Sequence, residues 1–381
     1  MNKVYIIDAL RTPIAAKGGG LAKILPEKFS ARVITKLLQR NHINAAEISG
    51  ILIGNAVGTG GNIARLTALT AKIPYEVPAV TIDMQCASGA ASLALAYAQI
   101  KANIGDLYIA GGMESSSLQP LRVYAKDDDR HKINDGSYYT AQFAPDDMRP
   151  DTMLWGAEKI MAAENTSTAE LNQWIIKSHK RAAQARRLGK LNNYILPIDN
   201  CTQDETIRAN ISERLLNRLP LKLGANTHLT AGNACLINDG AAFLILASEK
   251  YLLDHNIAPK AEIIDTLALG TEPSESPRGT QLAAEKLLAR QSLAMDNLAA
   301  IEFNEAFAVI DVLFSRKYPH LTDRYNKLGG ALAYGHPYAA SGAILMTHLL
   351  ASMVDEPSGS MGLVSIAGAG GLGTAILIRK A

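Results

Sequence analysis

The sequence predicts a layered α/β protein made of two similar halves, and three observations lead to this fold class. Strand and helix patterns alternate along both halves of the 381-residue chain, which is typical of sheets covered by helices. One strand–turn–helix–strand pattern occurs twice, and the two copies lie about 250 residues apart. The chain is also long enough for two domains that each bury a hydrophobic core.

The two halves predict their elements in a similar order. The first half is expected to contain strands at Val4–Ile7, Gly50–Ile53, Ala79–Ile82 and Asp106–Ala110, and helices near 27–41, near 62–71 and from residue 86. The second half is expected to contain strands at Ala261–Leu267, Ala299–Phe303, Gly362–Ala367 and Ile376–Ile378, and helices near 280–290, near 305–316 and from residue 337.

The repeated pattern carries a different reactive side chain in each copy. In the first copy, Cys86 follows a strand and precedes Ser88-Gly89 at the start of a helix. In the second copy, His336 takes the place of Cys86, and Ser341-Gly342 lies at the helix start. If the two halves face each other, a thiol and an imidazole meet in one pocket, as in a cysteine-nucleophile enzyme.

The composition argues against several other classes of protein. The net charge of +2 is small and no basic arm stands out, so no nucleic-acid partner is expected. The basic run at 177–190 is interpreted as a solvated helix face rather than an anion-binding face. Neither a secretory leader nor an apolar helix of about 20 residues is evident, so we expect a cytoplasmic protein with no membrane partner.

Cysteine usage points to thiol chemistry rather than to disulfides or metal. Cys86, Cys201 and Cys235 are too few and too scattered for a disulfide framework, and no Cys-x-x-Cys or His-x-x-x-His pair predicts a metal site. At the start of a helix, Cys86 is expected to have a lowered pKa. The alternative is a small buried hydrophobe, but the repeated pattern favours a nucleophile. His336 is then its base rather than a core histidine.

Two further segments are candidates for the same site. Asn304 lies where a strand becomes a helix, either as part of a helix cap or as a holder of water or a carbonyl oxygen. The segment Gly368–Gly373 matches a dinucleotide fingerprint, but only eight residues follow it, too few for a βαβ unit. It therefore predicts a glycine-rich turn, whose N–H groups can face an oxyanion, and no NAD site.

The region at about 116–236 differs from both halves and is expected to be an insertion in the first. Polar, turn-rich stretches occur at Lys126–Lys132 and Ala144–Pro150. Two helices are expected within 157–190, with Ser167 and Glu170 at capping-box spacing before the second. Long insertions of this kind often carry binding loops.

Six ordered motifs make the whole chain resemble the thiolases, the acetyl-CoA acetyltransferases and 3-ketoacyl-CoA thiolases. The motifs are Gln85–Gly89, Gly111–Ser115, Thr230–Ala234, Asn238–Ala242, Asn304–Ala308 and Gly335–Pro337. The resemblance implies two βαβαβαββ domains in a five-layered α-β-α-β-α core with an inserted loop domain. The expected division is a domain at 1–257, including the loop domain at about 116–236, and a domain at 258–381.

The resemblance also implies roles for residues. Cys86 would be acylated by an acyl-CoA substrate with His336 as base, and Asn304 would hold a water that forms an oxyanion hole with His336. A second oxyanion hole would use the N–H groups of Cys86 and Ala369. Substrate contacts are expected from Arg208, Cys235, Met153 and Phe307. The family pattern further implies a homodimer or homotetramer, coenzyme A thioester as substrate, and no permanently bound cofactor or metal.

The sequence departs from the thiolase pattern at a position that matters for the chemistry. Alignment on the final glycines puts Ala367 where thiolases carry a second, acid/base cysteine. A methyl group exchanges no proton, so acyl transfer or thioester hydrolysis without Claisen chemistry is an alternative, and a non-catalytic CoA-binding subunit is another. Cys235, where serine is usual, either takes over the acid/base role or is a small buried thiol. The large side chains within 153–156 are expected near the CoA channel.

Overall fold

The computed structural model describes residues 2–145 and 151–381. Residues 146–150 of the predicted polar stretch Ala144–Pro150 lie outside the described residues. The strands are β1 (Val4–Arg11), β2 (Ala15–Ala16), β3 (Gly50–Gly54), β4 (Ala79–Ile82), β5 (Leu107–Ser115), β6 (Arg122–Val123), β7 (Ser137–Tyr138), β8 (Asn238–Ser248), β9 (Ala261–Gly270), β10 (Leu298–Phe303), β11 (Met361–Gly368) and β12 (Leu372–Lys380).

The helices alternate with these strands in both halves, as the sequence predicts. They are α1 (Pro26–Arg40), α2 (Ile63–Thr70), α3 (Ser88–Lys101), α4 (Thr152–Ala163), α5 (Thr168–Arg187), α6 (Glu213–Leu216), α7 (Glu249–His255), α8 (Gly279–Arg290), α9 (Ala308–Lys317), α10 (Ala331–Tyr334) and α11 (Ser341–Ser352).

Within the described residues, ten strands form one mixed sheet with two similar halves. Its spatial order is β10-β11-β12-β9-β1-β8-β5-β3-β4, and the short β2 pairs with β8. The halves meet where β1 pairs with β9, and this ladder covers only Val4–Ile6 opposite Ala261–Ile263. Because this junction is short, each half of the sheet packs against its own outer helices. The other face of each half contacts the central helices α3 and α11.

Alternation along the strands produces the layers. Leu244 and Leu246 of β8 face a central cluster that also contains residues of α3 and α11. Phe243 and Ile245, on the opposite face, join a cluster with α1 and α2. The C-terminal strands contact α8 and α9 in a third cluster. The order helix, sheet, helix, sheet, helix confirms the predicted five-layered α/β fold.

The central helices cross at two glycines. A Cβ built on Gly89 of α3 would lie 2.6 Å from the carbonyl oxygen of Ala339, and one built on Gly342 of α11 would lie 2.3 Å from the backbone nitrogen of Ala90. Only glycine permits backbones to approach this closely. The two Ser-Gly pairs of the repeated pattern therefore bring the starts of α3 and α11 together at the centre of the molecule.

The second half differs from the first in one strand. Where β4 would have its counterpart, a single parallel bridge joins Ile301 to Tyr325. The side chain of Asn326 replaces the rest of the ladder, since it accepts from the N–H of Phe303 at 2.9 Å and donates to its carbonyl oxygen at 3.1 Å. A side-chain amide thus satisfies the backbone groups that a full strand would have paired.

The segment between β5 and β8 contains the short β6–β7 ribbon and α4 to α6. Ser167 and Glu170 form the predicted capping box at the start of α5. Helix α5 packs against α9 and α10 of the second half. The segment therefore covers the C-terminal half near the loop that carries His336.

Helix starts near the candidate site differ from the sequence-based expectations. Helix α9 begins at Ala308 rather than near residue 305, and a 3-10 turn at Tyr338–Ala340 precedes α11. His336 therefore lies five residues before its helix, whereas Cys86 lies two residues before α3. The prediction that the two side chains occupy equivalent positions before their helices is therefore wrong. His336 lies about one helical turn farther from its helix than Cys86 does, because the 3-10 turn lies between His336 and α11.

The described parts of the chain contain neither a long apolar helix nor a cluster of metal-ligating side chains. None of their helices has the length and apolar content that crossing a membrane requires. No three His, Cys, Asp or Glu side chains of residues 2–145 and 151–381 group as metal ligands.

Candidate active site

Cys86 lies in a tight turn that its neighbours hold closed. Gln85 adopts a left-handed conformation with φ of 52°, which costs free energy for a residue other than glycine. The hydroxyl of Ser88 accepts from the N–H of Met84 at 2.8 Å and donates to the carbonyl oxygen of Gln85 at 2.6 Å. Asp83 Oδ1 accepts from the N–H of Gln85 at 2.8 Å. These bonds fix the thiol just before α3.

The environment of Cys86 keeps its thiol protonated. Burial raises the pKa of Cys86 to about 12, and the Glu114 carboxylate raises it further. Hydrogen bonds from the N–H groups of Cys86 itself and Ala369 act in the opposite direction but are weaker. The prediction of a lowered pKa is wrong, because loss of hydration outweighs the start of the helix. A neutral thiol needs a base before it can attack.

His336 has the protonation state that a base requires. Burial lowers the pKa of His336 to about 3, so the imidazole is neutral at ordinary pH. Its Nδ1 lies 2.6 Å from the hydroxyl of Ser341, and that hydroxyl donates to the carbonyl oxygen of Pro337 at 3.2 Å. Because the hydroxyl hydrogen is used in this way, Nδ1–H is the donor to Ser341. The lone pair on Nε2 is therefore available to accept a proton.

The backbone around His336 is held equally firmly. Its N–H donates to Asn238 Oδ1 at 3.0 Å and to the carbonyl oxygen of Leu236 at 2.9 Å. Gly335 has φ of 91°, and a Cβ there would lie 2.0 Å from Asn238 Oδ1. Glycine before the histidine is thus required both by the backbone conformation and by the close approach of Asn238.

Asn304 faces His336 rather than capping a helix. Its Nδ2 lies 3.4 Å from His336 Nε2, and its backbone N–H donates to Ser365 at 3.0 Å. The neighbouring Glu305 accepts from Ser178 Oγ of α5 at 2.6 Å and from Asn326 Nδ2 at 2.9 Å. These bonds anchor the loop before α9 to α5 and to the segment that follows Tyr325. The cap alternative is therefore wrong, since α9 starts only at Ala308.

Glu114 connects the two halves of the site. Its carboxylate accepts from Asn55 Nδ2 at 2.9 Å, from the N–H of Val57 at 3.1 Å and from the N–H of Ala339 at 3.1 Å. Burial raises the pKa of Glu114 to about 7. The sequence places this residue in a thiolase-like motif but indicates no role for it. In the structure it joins β5 to the 3-10 turn that follows His336.

The predicted substrate-binding residues occupy different environments. The N–H of Cys235 donates to the carbonyl oxygen of Ala306 at 2.9 Å, and burial followed by the charge of a Cys86 thiolate raises the pKa of its thiol. Phe307 is buried in the third cluster, which contains α8 and α9, and the half-buried Met153 of α4 packs against that cluster. Arg208 is exposed, and its backbone N–H donates to His179 Nδ1 at 3.0 Å. Among these four residues, Cys235 has a thiol whose pKa the charge of Cys86 raises.

Ala367 lies buried in β11, opposite Gly373 of β12. The glycines between these strands form a hairpin turn in which Gly370 and Gly371 have φ of 83° and 76°. The predicted strand at Ile376–Ile378 and the absence of a βαβ unit there are confirmed. The methyl group of Ala367 offers no proton to the site.

Sequence reasoning missed four residues that build this site: Ser341, Asn238, Glu114 and Tyr338. Glu114 and Asn238 lie in motifs that mark the family, but their hydrogen bonds join positions about 100 or more residues apart. Ser341 lies in the repeated Ser-Gly pair, and its bond to His336 depends on a local turn. Tyr338 has no sequence signal other than its distance of two residues from His336. Its ring packs edge-to-face on the imidazole, with centroids 5.2 Å apart.

Comparisons with known proteins agree with the fold. A model of the thiolase N-terminal domain matches residues 4–250, and one of the thiolase C-terminal domain matches residues 257–380. A Staphylococcus haemolyticus protein named "Putative acetyl-CoA C-acetyltransferase VraB" is 32% identical over 385 residues, covering 100% of this chain and 99% of the relative. The Staphylococcus aureus protein of the same name is 33% identical over 390 residues, with both chains fully covered.

Solved structures are similar over the full length. The Bacillus anthracis acetyl-CoA acetyltransferase has a TM-score of 0.91 at 25% identity and covers 100% of this chain and 99% of its own. The Ascaris suum Acat5 thiolase, solved in complex with coenzyme A, has a TM-score of 0.89 at 28% identity with full coverage of both chains. Fold and sequence together define an acyltransferase. The chain belongs to the thiolase family.

Proposed function

We propose that this chain transfers acyl groups from coenzyme A thioesters through an acyl-Cys86 intermediate, with His336 as the base. The observation that carries the proposal is the fixed tautomer of His336. Its Nδ1 is committed to Ser341, and Nε2 points toward Asn304 Nδ2. Coenzyme A in the Ascaris suum thiolase structure, and in a human mitochondrial 3-ketoacyl-CoA thiolase of TM-score 0.90 and 26% identity, supports the substrate class.

The first step follows from the two protonation states. His336 Nε2 takes the proton of the Cys86 thiol while the sulfur attacks the carbonyl carbon of the thioester. The imidazolium is then in place to protonate the departing thiol of coenzyme A. The N–H groups of Cys86 and Ala369, which hydrogen bond the sulfur, would stabilise the oxygen of the acyl group. Asn304, whose Nδ2 lies 3.4 Å from His336 Nε2, would hold a water for a second oxyanion hole with His336.

Acylation is expected at Cys86 alone. Incubation with acetyl-CoA should add one acetyl group to the intact protein, and peptide mapping should locate it at Cys86. Cys86→Ala should remove the label, because Cys86 is the proposed nucleophile and Cys235, the other thiol of the site, is not expected to be acylated. Cys201→Ala is the matched control, since Cys201 is buried away from His336 and should leave labelling unchanged. An unlabelled wild type, or a labelled Cys86→Ala protein, contradicts the proposal.

A second candidate function is acyl transfer without carbon–carbon bond chemistry. The observation that favours it is the methyl group at Ala367, which exchanges no proton.

Cleavage of acetoacetyl-CoA separates this candidate from an enzyme with full thiolase activity. For the latter, which we expect, the wild-type protein cleaves acetoacetyl-CoA and Ala367→Cys changes the rate less than about tenfold, because a group other than residue 367 moves the proton. The measurement is cleavage of acetoacetyl-CoA by coenzyme A. An inactive wild type that Ala367→Cys activates by about 10²–10⁴-fold would establish the second candidate instead.

We also propose that the chain forms a homodimer, or a tetramer made of such dimers, through the β4 edge of the sheet. Within the described residues β4 pairs only with β3, so its other edge is open. Val80 on this strand is 50% exposed, and Leu66 and Leu95 on the flanking helices are similarly exposed. An open strand edge with apolar side chains favours association with another copy.

A further inference from the structure

Tyr338 is a polar side chain of the site for which neither the sequence motifs nor the proposed acylation step provides a role. It begins the 3-10 turn Tyr338–Ala340, two residues after His336. Its ring meets the imidazole edge-to-face at an interplanar angle of 87°. The phenol ring is therefore held against the base.

The turn that carries Tyr338 touches the turn that carries Cys86. The N–H of Ala339 donates to Glu114 Oε2 at 3.1 Å, and the Ala339 carbonyl oxygen is 2.6 Å from where a Cβ on Gly89 would be. Gly89 lies in the first turn of α3, three residues after Cys86. The nucleophile, the base and the phenol thus belong to two backbone turns in direct contact.

The hydroxyl of Tyr338 is free to act on a substrate. Within residues 2–145 and 151–381 it makes no hydrogen bond, and the side chain is only half-buried. Burial raises the pKa of Tyr338, and negative charge at Cys235, Cys86 and Glu114 raises it further. The phenol is therefore a neutral proton donor whose surroundings include both thiols of the site.

We propose that the Tyr338 hydroxyl donates the proton to the α-carbon of the released acyl-CoA, and removes it in the reverse direction, in place of the thiol that Ala367 lacks. This inference rests on the proposed function, because it requires an acyl-Cys86 intermediate. It goes beyond that function because it assigns proton transfer at the α-carbon to Tyr338, on the turn that follows His336.

The proton balance closes for cleavage of a 3-ketoacyl-CoA. Cys86 gives its proton to His336 Nε2, and its sulfur bonds to the keto carbon. The bond between that carbon and the α-carbon breaks, and its electron pair stays on the α-carbon as an enolate. Tyr338 protonates the α-carbon, and the His336 imidazolium returns a proton to the phenolate. The α-carbon thus receives the proton of Tyr338, the proton of Cys86 replaces it on the phenol by way of His336, and no oxidant or cofactor is needed.

Cys235 is the competing donor, and the packing favours Tyr338. The Tyr338 ring packs directly on His336, the group that must restore its proton, while Cys235 is fixed through its backbone to Ala306. A phenol is more acidic than the α-carbon of a thioester, so it can protonate the enolate.

Tyr338→Phe tests the inference because it keeps the ring and removes only the hydroxyl. Acetylation of Cys86 by acetyl-CoA should stay within about threefold of wild type. Cleavage of acetoacetyl-CoA should fall by about 10²–10⁴-fold, as expected for loss of a positioned acid. Exchange of the acetyl protons of acetyl-CoA in heavy water, followed by NMR, should fall by a similar factor.

Two further variants make the result specific. Ala367→Cys added to Tyr338→Phe should restore exchange and cleavage, because it returns a proton carrier to the usual thiolase position. Tyr75→Phe is the matched control, since Tyr75 is 81% exposed and should show no effect.

Three results overturn the inference while leaving acylation intact. The first is Tyr338→Phe with unchanged exchange and cleavage. The second is loss of exchange in Cys235→Ser together with retention in Tyr338→Phe, which assigns the proton to Cys235. The third is a wild type that acylates Cys86 but neither exchanges nor cleaves. A wild type that is never acylated overturns the proposed function itself, so the two failures are distinguishable.

Discussion

His336→Asn is expected to slow acylation of Cys86 by acetyl-CoA by about 10²–10⁴-fold. The pKa of Cys86 is about 12, so almost no thiolate exists at neutral pH without a base. An asparagine amide still donates to Ser341 but accepts no proton where Nε2 was. The measurement is the rate of appearance of acetylated protein by mass spectrometry after rapid quenching.

The control is His320→Ala, because this histidine lies on the surface beside Asp296 and should not affect the rate. An unchanged rate in His336→Asn would contradict the role of the imidazole. The variant should also retain the fold, since the backbone bond from residue 336 to Asn238 does not depend on its side chain.

The neutral imidazole has a spectroscopic consequence. Because burial holds the pKa of His336 at about 3, its ring should stay neutral throughout the range of about pH 5 to 8 where an ordinary histidine titrates. Nitrogen NMR of histidine-labelled protein should show a ring protonated on Nδ1, and this signal should be lost in His336→Asn. Titration of that signal near pH 6.5 would contradict the assigned state.

Arg11→Met is expected to cause the largest loss of stability, about 3–5 kcal/mol in the free energy of unfolding. Arg11 is fully buried and makes two bonds of 2.7 and 2.9 Å to the carboxylate of Asp204. Burial alone would raise the pKa of Asp204, but Arg11 holds it below its usual value. Removing the cation leaves a buried negative charge without its partner. Urea unfolding of both proteins measures the difference.

The double variant Arg11→Met/Asp204→Leu is the matched comparison. It should recover much of the lost stability, because replacing both charges removes the uncompensated group. Without Arg11, burial raises the pKa of Asp204 above its ordinary 3.8, so the deficit of the single variant should shrink as the pH falls through that raised pKa and the unpartnered charge is neutralised. A single variant that loses less than about 1 kcal/mol, or a double variant no better than the single, would contradict this account.

This ion pair also supports the active site. Two residues after Asp204, the hydroxyl of Thr206 bonds to the carbonyl oxygens of Ala333 and Tyr334, at the start of the loop that carries His336. Arg11→Met is therefore expected to loosen the position of the base as well as the fold.

Much of the architecture was predictable from local patterns. Strands such as Ala79–Ile82 are bounded by polar and turn residues, and the structure has that strand with the same limits. The helices α5 and α8 also lie where periodicity and capping place them. The missing strand at Tyr325 was not predictable, because there a single side chain, Asn326, replaces a ladder that only the folded chain reveals.

The sequence by itself determined the five-layered fold, the candidate nucleophile Cys86, the candidate base His336 and the absence of a second cysteine at Ala367. Only the tertiary structure decided the protonation states, because burial depends on all layers at once and reverses the effect that the start of α3 has on the thiol. It also decided which polar groups face the reacting atoms. Tyr338 gained its place because the 3-10 turn after His336 packs on Gly89, a contact between residues about 250 positions apart.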